Sequence, residues 1–272
     1  MLRDPTTSRP QRLIVTLLGD RQRDGAIASS ALVRVLREFE ISAEAVRTSL
    51  SRLVKRNMLS RQKVGRETFY RTTETGRSLV IEGEARILEF GASRVWDNRW
   101  TLVAFSVSER QREKRHVLRA QLRALGYAPL FDGLWISAFG TPEEASETLK
   151  SAGVPKAIVF RGELPPGQDI ETILRAWDLA GLRSEYEQFV ERFRPFLERL
   201  RKDEVSPAEA LIGVTKLMDE WRVFPRTDPE LPAELLPQDW PLSEARTIFI
   251  ECRDRATPMA DLRYASLLNA DP

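Results

Sequence analysis

The sequence predicts an α+β protein of several domains, and three features of the chain carry that prediction. Residues 11–91 show helical periodicity interrupted by one hairpin pattern, residues 100–161 run strand, helix, strand, strand, helix, strand, and the chain beyond Pro166 is mainly helical. A chain of 272 residues with 42% hydrophobic and 30% charged side chains is long enough, and apolar enough, for two or three cores. Two seams divide it: Gly91-Ala92-Ser93-Arg94, where a helical pattern gives way to a strand pattern, and Leu164-Pro165-Pro166-Gly167, a breaker cluster that no helix or central strand tolerates. The expected domains are residues 1–91, 92–166 and 167–272.

In the first domain Leu13, Ile14, Leu17 and Leu18 follow helical spacing, and Ile27 to Phe39 repeats the pattern through Leu32, Val35 and Leu36. Ser42 is a suitable N-cap for a helix over about 43–57. Met58–Val64 and Glu67–Arg71 flank Gly65-Arg66, a two-residue turn between extended runs, and a last helix spans Thr75 to Phe90. Three helices and a hairpin in this order predict a winged helix-turn-helix.

In the second domain Trp100–Val107 is rich in strand formers, and Glu109–Leu125 is a helix ending at Gly126. Asp132-Gly133 joins the strands Tyr127–Phe131 and Leu134–Ala138. Thr141-Pro142-Glu143-Glu144 is a capping box that opens a helix to about Ala152, and Lys156–Arg161 is the last strand. The order β-α-β-β-α-β is that of a ferredoxin-like unit. The third domain reads as helices over roughly 169–179, 182–202, 207–222, 242–254 and 258–269. A proline-studded but apolar loop between Phe224 and Pro241 is expected to pack across them.

Charge separates the domains. Residues 1–91 hold 17 Lys and Arg against 11 Asp and Glu, a net +6, whereas the rest of the chain is −4; residues 42–66 hold seven basic residues and one acidic, Glu44. In the helix after Ser42, Val46, Leu50, Leu53 and Val54 form one apolar stripe, which turns Arg47, Thr48, Ser51, Arg52 and Lys55 outward. Arg47, Ser51 and Lys55 fall on a single line at i, i+4 and i+8. A helix of this kind fits the major groove, where Arg to guanine is the commonest specific contact. The hairpin adds Arg61, Lys63 and Arg66 near its tip, placed for phosphates or an adjacent minor groove. A solvated charged face is the alternative for any one of these residues; their combination in this order points to double-stranded DNA. One such helix reads few bases, so a homodimer on a palindromic site is expected.

Over nearly its whole length the chain resembles the PaaX family, the phenylacetic-acid degradation repressors. The resemblance is carried by Leu17-Leu18-Gly19-Asp20, by the run from Ile41 to Leu53, by Gly65 to Gly76 and by Trp96 to Val103. It continues through Trp221-Arg222, Asp228-Pro229-Glu230-Leu231-Pro232 and the run from Glu234 to Pro241. It implies a repressor of aromatic catabolic genes, dimeric on palindromic operators and released by an aryl-CoA thioester such as phenylacetyl-CoA. Before Glu220-Trp221-Arg222 the family often places a histidine where this chain has Asp219, which leaves a different effector, or an interaction scaffold without one, as alternatives.

No enzyme signature accompanies these features. Serine, histidine and aspartate do not form a catalytic set, no phosphate-binding glycine loop or metal-ligand spacing is visible, and no cofactor is expected. His116, the single histidine, lies beside Arg115 and Arg119 and reads as solvent-facing. The central domain resembles small ferredoxin-fold CRISPR adaptation proteins, but its first strand ends Ser106-Val107-Ser108, without the acidic metal ligand that a nuclease needs there. Trp177, Trp221, Arg222 and Trp240 form a candidate aromatic and cationic lining for the effector, with core packing of the tryptophans as the alternative. One cysteine, Cys252, excludes an intrachain disulfide, and no membrane span or signal peptide is visible, so a cytoplasmic location is expected.

Overall fold

Helix α1 (Arg9–Arg21) buries Leu13, Ile14, Leu17 and Leu18 on one side, the stripe its spacing dictates. The computed structural model of the protein describes residues 9–21, 25–92, 94–154, 156–167 and 169–270. Two compact units emerge, and neither is a continuous stretch of chain. The first comprises Met1–Phe90, Gln188–Val223 and Glu244–Pro272; the second comprises Gly91–Glu187 and Phe224–Ser243.

In the first unit, β1 (Ile27–Ala28) leads into α2 (Ser29–Arg37) and α3 (Ala43–Lys55), then β2 (Leu59–Val64), β3 (Glu67–Thr72) and α4 (Glu74–Glu89). The strands form an antiparallel sheet in the order β1-β3-β2. The pattern over Ile27–Phe39 predicts only a helix; instead Ile27 and Ala28 pair with Tyr70 and Phe69, and the helix starts at Ser29. Beside an open strand edge, Ile27 and Ala28 gain ladder hydrogen bonds that a first helical turn would leave unmade. Thr73 caps α4 by accepting from the Gly76 N–H at 3.0 Å while its hydroxyl donates to the Asn57 carbonyl at 2.6 Å, which ties the end of α3 to the start of α4. Gly76 is required there, because a Cβ would collide with the Met58 carbonyl oxygen.

The C-terminal helices complete this unit. Trp221, the last residue of α9 (Pro207–Trp221), is fully buried, stacks on Phe249 with centroids 4.5 Å apart, and meets Phe90 edge-on at 5.8 Å. Phe249 lies on α11 (Leu242–Asn269), which is continuous through Pro258, where two helices are expected from the sequence. Proline removes one helical hydrogen bond, to the Asp254 carbonyl. Pro258 and Asp254 both lie on the exposed side of α11, where water can satisfy that carbonyl, and the buried stripe Ala245, Phe249, Cys252, Ala256, Ala260 holds the axis. Pro195 is tolerated in the same way in α8 (Leu179–Arg201), again at an exposed position.

The second unit is built on β4 (Trp100–Phe105), α5 (Arg112–Ala124), β5 (Ala128–Phe131), β6 (Leu134–Ser137), α6 (Pro142–Ser151) and β7 (Ala157–Gly162). All pairings are antiparallel, in the order β5-β6-β4-β7, the interleaved arrangement of a ferredoxin-like unit. Val103, Phe105 and Trp135 pack beneath Leu118, Leu122, Ala145 and Leu149 of the two helices. On the opposite side Trp100, Ile136 and Ala138 meet Ile173 of the short helix α7 (Ile170–Leu174) and Leu231 of the proline-rich segment. That segment, which opens with α10 (Phe224–Thr227), is therefore a packed strap. Asp228 anchors it, accepting from the Tyr186 hydroxyl and from the Glu230 N–H, both at 2.5 Å. Burial pushes the Asp228 carboxyl above its ordinary range, opposed by these two donors.

Candidate nucleic-acid interface

Ser42 starts α3 by accepting the Ala45 N–H at 3.2 Å, and Val46, Ser49, Leu50 and Leu53 then face the core. With that face buried, Arg47, Thr48, Ser51, Arg52 and Lys55 are exposed, all five as expected from the apolar stripe. Arg47, Ser51 and Lys55 recur every four residues, about 6 Å apart along the axis by the helical rise. The hydroxyl in the middle of this row keeps it low enough for close approach to a surface.

The hairpin follows directly. Lys63 stands opposite Thr68 and Arg61 opposite Tyr70, so the two cations share one face of the ribbon, while Gly65, at φ +61°, makes the turn that carries Arg66. Arg61, Lys63 and Arg66 are exposed. Among the described residues, none of Arg47, Arg52, Lys55, Arg61, Lys63 and Arg66 has an ion-pair or hydrogen-bond partner for its side chain. Elsewhere in the same unit arginines are matched: Arg194 to Glu244 at 2.5 Å, Arg199 to Glu209 at 2.6 Å and Arg201 to Glu251 at 2.6 Å. The acid beside the hairpin tip, Glu67, is held by backbone N–H groups rather than in an ion pair with these cations. Glu67 accepts the Ser30 N–H at 3.3 Å and so serves the start of α2, whose own N-cap residue, Ala28, has no side-chain acceptor. Among the described residues these cations have no ion-pair partner, which is the arrangement an external polyanion fits.

Two participants are not visible from sequence pattern alone. Arg71 is exposed on β3, opposite Ser60, and adds a cation to the return strand; its position in a strand flanking a basic turn is a signal that periodicity arguments about helices pass over. Glu67 as a cap for α2 depends on a contact 37 residues apart and has no local signature.

The four residues expected to line an effector site fall into different units. Trp221 and Arg222 belong to the first, Trp177 and Trp240 to the second. Trp221 is core: its ring is sandwiched in aromatic contacts and its indole N–H donates to the Ile87 carbonyl at 3.1 Å. Arg222 closes α9 and is almost fully buried. Trp177 and Trp240 are half-buried, the first tilted against Trp100 at 6.3 Å, the second edge-on to Tyr186 at 6.4 Å with the Arg183 guanidinium 5.8 Å above it. Among the described residues, the buried indole N–H groups of Trp177 and Trp240 have no hydrogen-bond partner. Of the four, these two retain accessible ring surface.

Other chemistry is sparse. The Cys252 thiol is buried and pushed up to about 12, first by burial, which keeps it protonated and unreactive. Among the described residues no group of three or more His, Cys, Asp and Glu side chains could hold a metal ion, and no helix is long and apolar enough to cross a membrane.

Comparison with known proteins places these elements together. Residues 9–76 match the family model of PaaX-like proteins, residues 93–173 that of the PaaX central Cas2-like domain, and residues 177–266 that of the PaaX-like C-terminal domain. The chain is 29% identical over 258 residues to the transcriptional repressor PaaX of Escherichia coli (strain K12), covering 91% of this chain and 80% of that one. Among solved structures, the uncharacterized protein Rv0674 from Mycobacterium tuberculosis has a similar fold, with a TM-score of 0.58 at 20% identity over 94% of this chain and 96% of that one.

Proposed function

The chain belongs to the PaaX family, whose three successive domain models it matches in order, and from that premise we propose that it is a DNA-binding transcriptional repressor of phenylacetate-type catabolic genes. Residues 1–91 are read as a winged helix-turn-helix, 92–166 as a ferredoxin-like middle domain and 167–272 as a helical domain for effector binding or dimerisation. The observation that carries the reading is the unneutralised row Arg47, Ser51, Lys55 on α3, beside a hairpin bearing Arg61, Lys63 and Arg66. Arg47, Thr48, Ser51 and Arg52 read bases in the major groove; Lys55 and the hairpin cations hold phosphates. The protein acts in the cytoplasm as a homodimer, because one such helix reads too few bases to select a genomic site, and as a regulator without a catalytic step.

Release follows from a ligand that prefers the conformation unable to bind the operator. Phenylacetyl-CoA is the first candidate, with Trp177 and Trp240 as the aromatic surfaces that support an aryl-binding role. A different effector is the alternative, because at Asp219, where the family resemblance implies a histidine, this chain has a carboxylate engaged by Arg12 at 3.3 Å. A ligand group directed to that position would have to displace the pair.

The test is selection of bound duplexes from a random-sequence pool, then anisotropy titration of the enriched site with and without phenylacetyl-CoA, other acyl-CoA thioesters and the free acids. A palindromic site bound by two copies, with affinity lowered about 5–150-fold by one thioester, is expected. Failure to enrich any site would remove the DNA-binding reading; enrichment without a ligand response would remove only the effector.

A further inference from the structure

The first turns of α5 carry a second concentration of positive charge, in the unit that does not contain α3. Between residues 110 and 123 there are six Lys and Arg, with Glu113 as the one acid. Leu118 and Leu122 bury one face of the helix against the sheet. Beside that buried face, Arg112, Arg115, His116 and Arg119 recur at i, i+3, i+4 and i+7, with Arg115 and Arg119 half-buried and Arg112 and His116 exposed, and these four side chains line an open groove of about 460 Å³. Arg119 reaches Asp132 of the β5–β6 turn at 3.1 Å, and that acid is itself almost fully exposed. The stripe needs explaining because like charges at these spacings destabilise a helix. Uncharged polar residues would solvate the exposed part of this face equally well.

We propose that this face of α5 is a phosphate-backbone contact for duplex DNA, additional to the α3 and hairpin surface. Every group lining the groove is a potential cation, which suits phosphate oxygens and no apolar portion of a ligand. The walls come from a single helix, so the site is a shallow track. A CoA thioester would need an apolar floor for its adenine and acyl groups, such as enclosed ligand sites provide. Arg112 to Arg119 spans about 10 Å along the axis by the helical rise, enough for two successive phosphates of one strand. Without base-edge donors held by a groove-entering helix, the contact is independent of sequence and contributes to affinity and salt dependence rather than to site choice.

The inference rests on DNA being this protein's partner, and the experiment separates the two claims. A 40-bp duplex of arbitrary sequence is titrated by anisotropy with the full-length protein between 50 and 300 mM salt. The variants are Arg112→Gln/Arg115→Gln/Arg119→Gln, the same three positions changed to Lys, and Arg47→Ala/Lys63→Ala. The glutamine variant is expected to flatten the slope of log affinity against log salt by about 2–3 units and to weaken binding at least about tenfold at 0.1 M salt; the lysine variant should restore both, which separates loss of charge from loss of fold. Slopes equal to wild type in the glutamine variant, with the Arg47/Lys63 variant impaired, would overturn the α5 contact and leave the α3 surface standing. Impairment of the glutamine variant alone would sustain the α5 contact at the expense of α3. If the glutamine variant instead keeps its DNA slope but loses binding of CoA in calorimetry, α5 is a nucleotide site and the proposal is wrong.

Discussion

Arg12 of α1 and Asp219 of α9, 207 residues apart in the chain, form an ion pair with Nε–Oδ1 of 3.3 Å, and both side chains are largely withdrawn from solvent. The pair joins the first described helix to a helix in the last third of the chain. Because it is only part-buried, its contribution is modest, about 0.5–1.5 kcal/mol in a double-mutant cycle of Arg12→Ala with Asp219→Ala. Urea denaturation of the four proteins checks this; strictly additive effects would assign no coupling to the pair.

Trp221 makes a stronger claim. Trp221→Phe keeps most of the packing but leaves the buried Ile87 carbonyl without its donor, an expected loss of about 1–3 kcal/mol. Trp221→Ala should cost about 3–5 kcal/mol through the cavity it opens between Phe90, Phe189 and Phe249. Thermal unfolding should rank the two variants in that order.

Truncation tests the discontinuous first unit. Residues 1–91 expressed alone lack Trp221, Phe249 and the Arg246 side chain that donates to the Phe90 carbonyl at 3.1 Å. That fragment is expected to melt without a cooperative transition. A sharp transition at the temperature of the whole protein would mean that the C-terminal helices add nothing to its stability.

For the DNA surface, Arg47→Ala should cost about 1–3 kcal/mol at one operator position and relax base preference there. Lys63→Ala or Arg66→Ala should weaken all sequences alike and reduce the salt slope by about one unit each. Titrations of matched and mutated sites at several salt concentrations distinguish the patterns. Unchanged affinity for the Arg47 variant would remove α3 from the interface.

The start of α9 should contribute to acid sensitivity. The Ser206 N–H, the Arg199 guanidinium and the Ser206 hydroxyl together hold the Glu209 carboxyl down to about 2, from an ordinary 4.5. A depressed folded pKa contributes stability above the unfolded value that is lost as pH falls from about 4.5 toward 2. Glu209→Gln should therefore lower the melting temperature at pH 7, and the difference from wild type should shrink through that window. A constant difference from pH 7 to pH 2 would show that the charge is not responsible.

What the amino-acid order determined by itself is local. The capping boxes at Thr141 and Ser206, the N-cap at Ser42, the turns at Gly65 and Asp132-Gly133, and the outward row on α3 all depend on hydrogen bonds or burial within a few residues, so their signals survive in one dimension. The tertiary structure alone decided which segments share a core. Residues Gln188–Val223 and Glu244–Pro272 join the N-terminal segment, the strap through Asp228 joins the sheet, Ile27 becomes a strand residue, and Glu67 caps a helix it does not adjoin. Trp221 illustrates the physical reason: a large ring with one donor satisfies a ligand pocket or a core equally well as a sequence element, and only the approach of Ile87, Phe90 and Phe249 from distant parts of the chain makes it core.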